Sequence, residues 1–306
     1  MFDILLNHSD FLLINKHPGV SVHKDDGDTM LLQEVANALN EPKLYLVHRL
    51  DKMTSGILLL AKSASAASEL SHLFAKREVE KYYLAIGSKK PKKKQGLISG
   101  DMERSRRSSW KLLTSKENPA ITQFLSATAE PGERLLLCKP YTGRTHQIRV
   151  AMKSIGSAIV GDPIYNPSSE ADRGYLHAFA IRFTYQSQAY EYVCDPRNLD
   201  SLGEKWHQET VSAGLDSWLE PWSLTWRIPT NITLKPSRII NSAIKSTLTR
   251  TLITSGTTLA TVASVWLLAG APLQGFAIAL FAGIVVGTLS SICIAATLPE
   301  LLGLSV

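Results

Sequence analysis

From Thr251 to Pro299 the chain carries no charged residue, a run of 49, whereas the 250 residues before it hold an ordinary mixture of Lys, Arg, Asp and Glu. Such a chain cannot be one kind of polypeptide throughout. Two apolar segments, Leu252 to Ala269 and Phe276 to Ala296, flank Gly270-Ala271-Pro272. Each approaches the roughly 20 residues that span a bilayer as helix, so the sequence predicts a transmembrane helical hairpin over 251–299. Gly283 and Gly287 give the spacing that lets helices pack closely. A very hydrophobic buried hairpin is the alternative. Lys235, Arg238, Lys245 and Arg250 make 230–250 a basic linker, which places that side of the membrane in the cytoplasm. Residues 1–229 then form a separate soluble domain.

The formal charge of +6 comes from 33 Lys and Arg against 27 Asp and Glu. Setting aside the four basic and one acidic residues after 230 leaves 29 against 26, a surplus too small to identify a polyanionic partner without local clusters. Cys138, Cys194 and Cys293 are far apart and match no metal-ligand spacing, which points to a reducing compartment and no disulfide framework. Met1-Phe2-Asp3 opens without a basic region, so no secretory leader is expected.

Within the soluble part, Val47-His48-Arg49-Leu50-Asp51-Lys52-Met53-Thr54-Ser55-Gly56 leads into the apolar run Ile57 to Ala61. The run reads as a buried strand, and a lone carboxylate, Asp51, stands just before it. Arg49 and Lys52 flank Asp51, surroundings that favour an ionised carboxylate, and such a group can act as a nucleophile. By charge pattern alone it can equally be a surface Asp in a turn.

His48-Arg49-Leu50-Asp51 followed by Thr54-Ser55-Gly56 and a leucine-rich strand resembles the RluA-type pseudouridine synthases. The resemblance implies that Asp51 is the catalytic residue. It extends over about residues 2–200: Asn15-Lys16-His17-Pro18-Gly19 is similar to a stretch that lines the uridine site in that family, with His17 in place of a Pro. In Glu80 to Gly87, an aromatic-rich strand, the family pattern Lys-x-Tyr falls on Lys81 and Tyr83; a tyrosine there can stack on a pyrimidine and move a proton. Thr142-Gly143-Arg144-Thr145-His146-Gln147-Ile148-Arg149 crowds donors into a few residues, as an anion-gripping site does. The resemblance puts the partner of the catalytic Asp on Arg144. Ile155 to Tyr165 continues the match, with Ala158 where Pro is usual.

The implied fold is α+β: a long, mostly antiparallel mixed sheet with packed helices and a central catalytic cleft. Helices are expected over 25–40 and 65–77, strands at 4–6, 11–16, 121–139 around Pro131-Gly132, and two closing strands at 176–183 and 190–196. Trp206, Trp218, Trp222 and Trp226 read as helix-packing residues on the domain surface. The implied activity is isomerisation of a uridine in structured tRNA or rRNA, with no cofactor and no metal. Asp51, Tyr83 and Arg144 carry the chemistry, Arg49 helps turn the uridine out, and His48, Lys81, Thr142, His146, Gln147 and Arg149 contact RNA. Lys92 and Lys93, in the run Lys89 to Lys94, form a basic loop suited to phosphates. Rival readings are an RNA-binding module without catalysis and a membrane-complex subunit with an acquired soluble domain. The second is suggested because residues of about 235–306 resemble the last two transmembrane helices of SecF, which would make the tail an inner-membrane anchor on a cytoplasmic enzyme and the chain a fusion.

Overall fold

Apolar runs that are buried on both faces should become interior strands, and here they assemble into one ten-stranded sheet. The computed structural model describes residues 1–22, 29–106, 108–198, 203–227, 255–267, 275–285 and 288. It divides into two units, Met1–Arg227 and Ile228–Val306.

In the first unit β1 (Phe2–Asn7) and β2 (Phe11–Lys16) form a hairpin, followed by α1 (Thr29–Leu39), β3 (Tyr45–Leu46), β4 (Ser55–Ala61) and α2 (Ala64–Lys76). Then come β5 (Glu80–Gly87), β6 (Gln95–Gly100), the small ribbon β7 (Met102–Arg104) and β8 (Trp110–Leu112), β9 (Ala120–Thr128) and β10 (Arg134–Pro140). The chain continues through α3 (Gln147–Ser154), β11 (Leu176–Tyr185), β12 (Gln188–Val193) and α4 (Glu209–Asp216). The sheet order is β1-β2-β4-β11-β5-β10-β9-β6, with β12 on β11 and β3 on β4. All pairings are antiparallel except β4 with β11, where Ser55 meets His177 and Gly56 meets Ala178.

The two-residue period of a strand distributes the core. Phe11, Leu13, Ile57, Leu59 and Ala61 pack with Ala66 and Leu70 of α2, while the alternate residues Leu12, Ile14, Leu58 and Leu60 pack with Leu31 and Val35 of α1. The two helices therefore cover opposite faces of β2 and β4. Each fully buried leucine there contributes about 1.5–3 kcal/mol. Helix α2 starts at Ser63, whose side chain accepts from Ala66 N–H at 3.1 Å, and α4 and α3 cover β5, β10 and β11.

Two expectations change. The strand at 176–183 does not close the sheet but sits at its centre, between β4 and β5. Trp206 and Trp218 are core, Trp206 being fully buried beside Tyr175, because the sheet needs cover on the side that α4 reaches. Of the helix expected over 25–40, Thr29–Leu39 is helical, and residues 25–28 lie outside those described.

In the second unit 255–267 and 275–285 are helical, and Thr288 Oγ1 donates to Ser255 Oγ at 2.9 Å. Among the described residues no helix is long and apolar enough to cross a membrane. The rest of the expected hairpin (251–254, 268–274, 286–287 and 289–299) and the linker 230–250 fall outside the described residues.

Candidate active site

Asp51 sits in a turn between buried Leu50 and the start of β4. Thr54 N–H closes that turn on the Asp51 carbonyl at 3.0 Å, and Gly19 N–H holds the Lys52 carbonyl at 2.8 Å. Lys16 is fully buried, and its ammonium donates to the carbonyls of Val20 (2.7 Å), His17 (3.0 Å) and Lys52 (3.3 Å). The 15–19 stretch, expected beside the uridine, thus braces the Asp51 turn, and its residues are not among those lining the cleft. A β-carbon on Gly56 would lie 2.3 Å from the Ala178 carbonyl oxygen, and its φ is +103°. Glycine is what lets β4 approach β11 and carry Asp51 over the sheet centre.

The cleft above the turn has a volume of about 500 Å³, within the range of small-ligand sites. Strand β5 forms one wall. Its alternation sends Lys81 and Tyr83 into the cleft and the neighbours Glu80 and Tyr82 to the other face, where Lys139 meets both, at 3.2 and 3.1 Å. The Tyr83 hydroxyl has no hydrogen-bond partner among the described residues. Burial, then the charge of Asp51, push its phenol up, so it is neutral at physiological pH.

The guanidinium that meets Asp51 is that of Arg149. Its Nη1 donates to Asp51 Oδ2 at 3.1 Å. Its other edge is clamped by Asp162, with Nε to Oδ2 at 2.7 Å and Nη2 to Oδ1 at 2.8 Å. Asp162 in turn accepts from the N–H groups of Ile164 and Tyr165, at 2.9 and 3.0 Å. Burial alone would raise the Asp162 carboxyl, but hydrogen bonds and charge from Arg149 outweigh it and hold the group below the usual carboxylate range. A bidentate pair of this kind fixes the plane of the guanidinium and so aims Nη1.

Arg144, expected in that role, is exposed, and its Nη2 reaches the Asn118 carbonyl at 3.4 Å. The reason is local. Residues 142–146 form a loop before α3, and only Arg149, in the first turn of α3, faces both Asp51 and Asp162.

Among the other expected contacts, Thr142 and Gln147 are committed to the scaffold. Gln147 Oε1 accepts from Thr142 Oγ1 (2.7 Å) and Arg144 N–H (3.0 Å), and its Nε2 donates to Thr122 Oγ1 (2.9 Å) and the Ile121 carbonyl (3.0 Å). His48 Nε2 accepts from Leu59 N–H at 2.9 Å, and the ring stacks on Phe74 with centroids 4.6 Å apart. Burial, then the charge of Lys81, push His48 down to about 3. It is a neutral wall residue rather than a cation for RNA.

His146 is at φ 56°, a strained position for a residue other than Gly. Its Nε2 is 4.0 Å from Asp51 Oδ2 and its Nδ1 is 3.0 Å from the Tyr165 hydroxyl. Tyr165 oxygen accepts from Trp110 N–H at 2.8 Å. Burial and the charge of Arg149 lower the imidazole. Arg49 crosses the mouth to Thr145 Oγ1 at 2.8 Å. Lys92 and Lys93 are exposed but do not line the cleft. They follow the far end of β5, about 20 Å from Lys81 at the rise of a strand.

Sequence reasoning passed over Asp162 and Tyr165. Asp162 stands between Gly161 and Pro163, a turn signal, and a carboxylate at such a turn 13 residues beyond Arg149 was the available clue. Among the described residues no group of three His, Cys, Asp or Glu could hold a metal ion.

Residues 10–154 match the RNA pseudouridylate synthase family, and residues 227–304 match the carboxyl-terminal part of the SecD/SecF protein export membrane proteins. A Haemophilus influenzae protein, "Uncharacterized RNA pseudouridine synthase", is 49% identical over 218 residues, covering 71% of this chain and 96% of that protein. The Vibrio vulnificus "Ribosomal large subunit pseudouridine synthase C" is 34% identical over 194 residues, covering 60% of this chain and 62% of that one. The chain thus spans nearly all of the first relative and about three fifths of the second. Among solved structures, "Human RNA Pseudouridylate Synthase Domain Containing 1" superposes with a TM-score of 0.60 at 28% identity, covering 75% of this chain and 97% of that one.

Proposed function

This chain belongs to the RNA pseudouridine synthases, an isomerase family, and on that premise we propose that it converts one uridine of a structured tRNA or rRNA to pseudouridine with Asp51 as nucleophile. The observation that carries the reading is the aim of Asp51, the one carboxylate lining a cleft that also presents Arg49, Arg77, Lys81, Arg144 and Arg149. In the reaction the bond from N1 to C1′ breaks and a bond from C5 to C1′ forms. C5 then loses its proton and N1 gains one, so atoms and electrons balance within the substrate.

Asp51 assists by attack while Arg149, hydrogen-bonded to it, directs its carboxylate. Tyr83 stacks on the base. As a neutral phenol it takes the C5 proton only by giving up its own, so it relays rather than rests as a base. Arg49, bridging the mouth to Thr145, is placed to fill the gap left by a uridine turned out of its stack, a step costing a few kcal/mol.

The test is pseudouridine mapping of total tRNA and rRNA from cells with and without the gene, complemented by wild type or by Asp51→Asn. One uridine that loses its modification and regains it only with wild type is the expected result. Restoration by Asp51→Asn would refute the catalytic reading and leave an RNA-binding module. For residues 251–299 the charge-free sequence and the SecD/SecF match support association with a membrane; recovery of the full 33.6 kDa chain only in the soluble fraction would refute it.

A further inference from the structure

The cleft has an arm that the reaction centre leaves unused. It is lined by His48, Phe74, Arg77 and Lys81, all facing the same space as Asp51. Local structure explains their convergence. Helix α2 stops at Lys76, and Arg77 takes a left-handed backbone, φ 63° and ψ 30°, with its N–H on the carbonyls of Leu73 and Phe74. Glycine is the usual residue at such a helix end; here the position carries a guanidinium over the cleft. Three residues later β5 begins and places Lys81 on the same face as Tyr83. The Lys81 Nζ stands 5.5 Å from the Phe74 ring centroid, with His48 stacked on that ring at 4.6 Å.

Among the described residues no carboxylate pairs with these cations. Among the described residues neither Arg77 nor Lys81 makes an ion pair or a side-chain hydrogen bond. The single carboxylate of the cleft, Asp51, is engaged by Arg149. His48 accepts through Nε2, so its ring proton is on Nδ1, which also lacks a hydrogen-bond partner among the described residues. Donors therefore outnumber acceptors along the arm. Burial and the neighbouring charge of Arg77 lower Lys81 to about 8: the two cations are held together against their repulsion. An anion between them relieves that repulsion, and RNA supplies one phosphodiester per nucleotide.

We propose that Arg77 and Lys81 form a phosphate subsite for the nucleotide next to the target uridine, with His48 and Phe74 as its wall. The inference rests on the RNA-modifying reading above and adds where the strand on one side of the target is gripped. Phosphate contacts position the substrate without reading sequence, so the subsite sets register: with the adjacent phosphate fixed, the uridine swings over Asp51.

Binding of a fluorescent single-stranded uridine decamer to the full chain tests this as a function of salt. For single strands the slope of log K against log salt changes by about 0.7 per phosphate contact. The double variant Arg77→Gln, Lys81→Gln is expected to have a slope shallower by about 1.4, and each lost charge-assisted contact weakens low-salt binding by about tenfold. Arg77→Lys with Lys81→Arg should restore the slope. Arg77→Gln alone, at an exposed helix end, provides a variant that keeps the fold and should lose about 0.7. An unchanged slope in the glutamine variants, with melting temperature as in wild type, overturns the subsite. Because the readout is binding, it separates from catalysis: retained activity in Asp51→Asn would remove the mechanism and leave this result standing, whereas a flat slope in wild type would overturn the subsite together with RNA binding.

Discussion

Replacing Asp162 by Asn tests the network that aims Asp51. The side chain keeps its shape, but one carboxylate oxygen becomes an NH2 group. In either orientation that group faces the Arg149 guanidinium, and on the Oδ1 side also the N–H groups of Ile164 and Tyr165, all of them donors. Arg149 then remains buried with only Asp51 as a charged partner, and Asp51 meets it through a single bond of 3.1 Å. Breaking one side of a buried pair costs about 3–5 kcal/mol. For a domain of this size 1 kcal/mol moves the melting temperature by about 2–4 °C, so the expected fall is about 6–20 °C. Thermal denaturation followed by circular dichroism measures it. The pH dependence carries a second signature. The folded Asp162 carboxyl lies below its unfolded value of about 3.8, so its stabilisation is complete above that value and is lost as pH falls through the lower folded one. The gap between wild type and variant should therefore be constant near neutrality and narrow in acid. A loss under about 2 °C, or a gap that widens in acid, would refute the network as drawn.

Arg149→Lys should lose activity far more than Arg144→Lys, since only Arg149 meets Asp51; an assay of pseudouridine formed in the mapped substrate decides, and equal losses would return the pairing role to Arg144. Tyr83→Phe keeps the ring and removes the hydroxyl, so RNA affinity should hold while single-turnover rate falls by about 10²-fold or more; an unchanged rate would exclude the proton relay. Gly56→Ala sets a β-carbon against the Ala178 carbonyl at a φ that disfavours it, and should destabilise by about 1–3 kcal/mol or more, read by denaturant midpoint; wild-type stability would show that β4 and β11 can part without loss.

Much of this protein was legible in its sequence because the signals are local. Alternating and unbroken apolar runs marked β2, β4, β5, β9 and β10, and a helical apolar stripe marked α2. The composition break at Thr251 set the tail apart from the charged residues before it, and the structure divides after Arg227. The resemblance to the RluA-type family singled out Asp51, Lys81 and Tyr83, and all three line the cleft. Contacts between distant segments were not legible. Arg144 and Arg149 are both cations in one short block, and which of them reaches Asp51 depends on where α3 begins and on a carboxylate 13 residues beyond Arg149. That Lys16 braces a turn, that Thr142 and Gln147 hydrogen-bond to each other and to β9, and that Arg77 shares a cleft with Asp51 follow from how strands order themselves in the sheet. Sequence sets what each segment can bury and which groups it carries. Only the tertiary fold decides which charges are close enough to feel one another, because that energy depends on distance and burial rather than on separation along the chain.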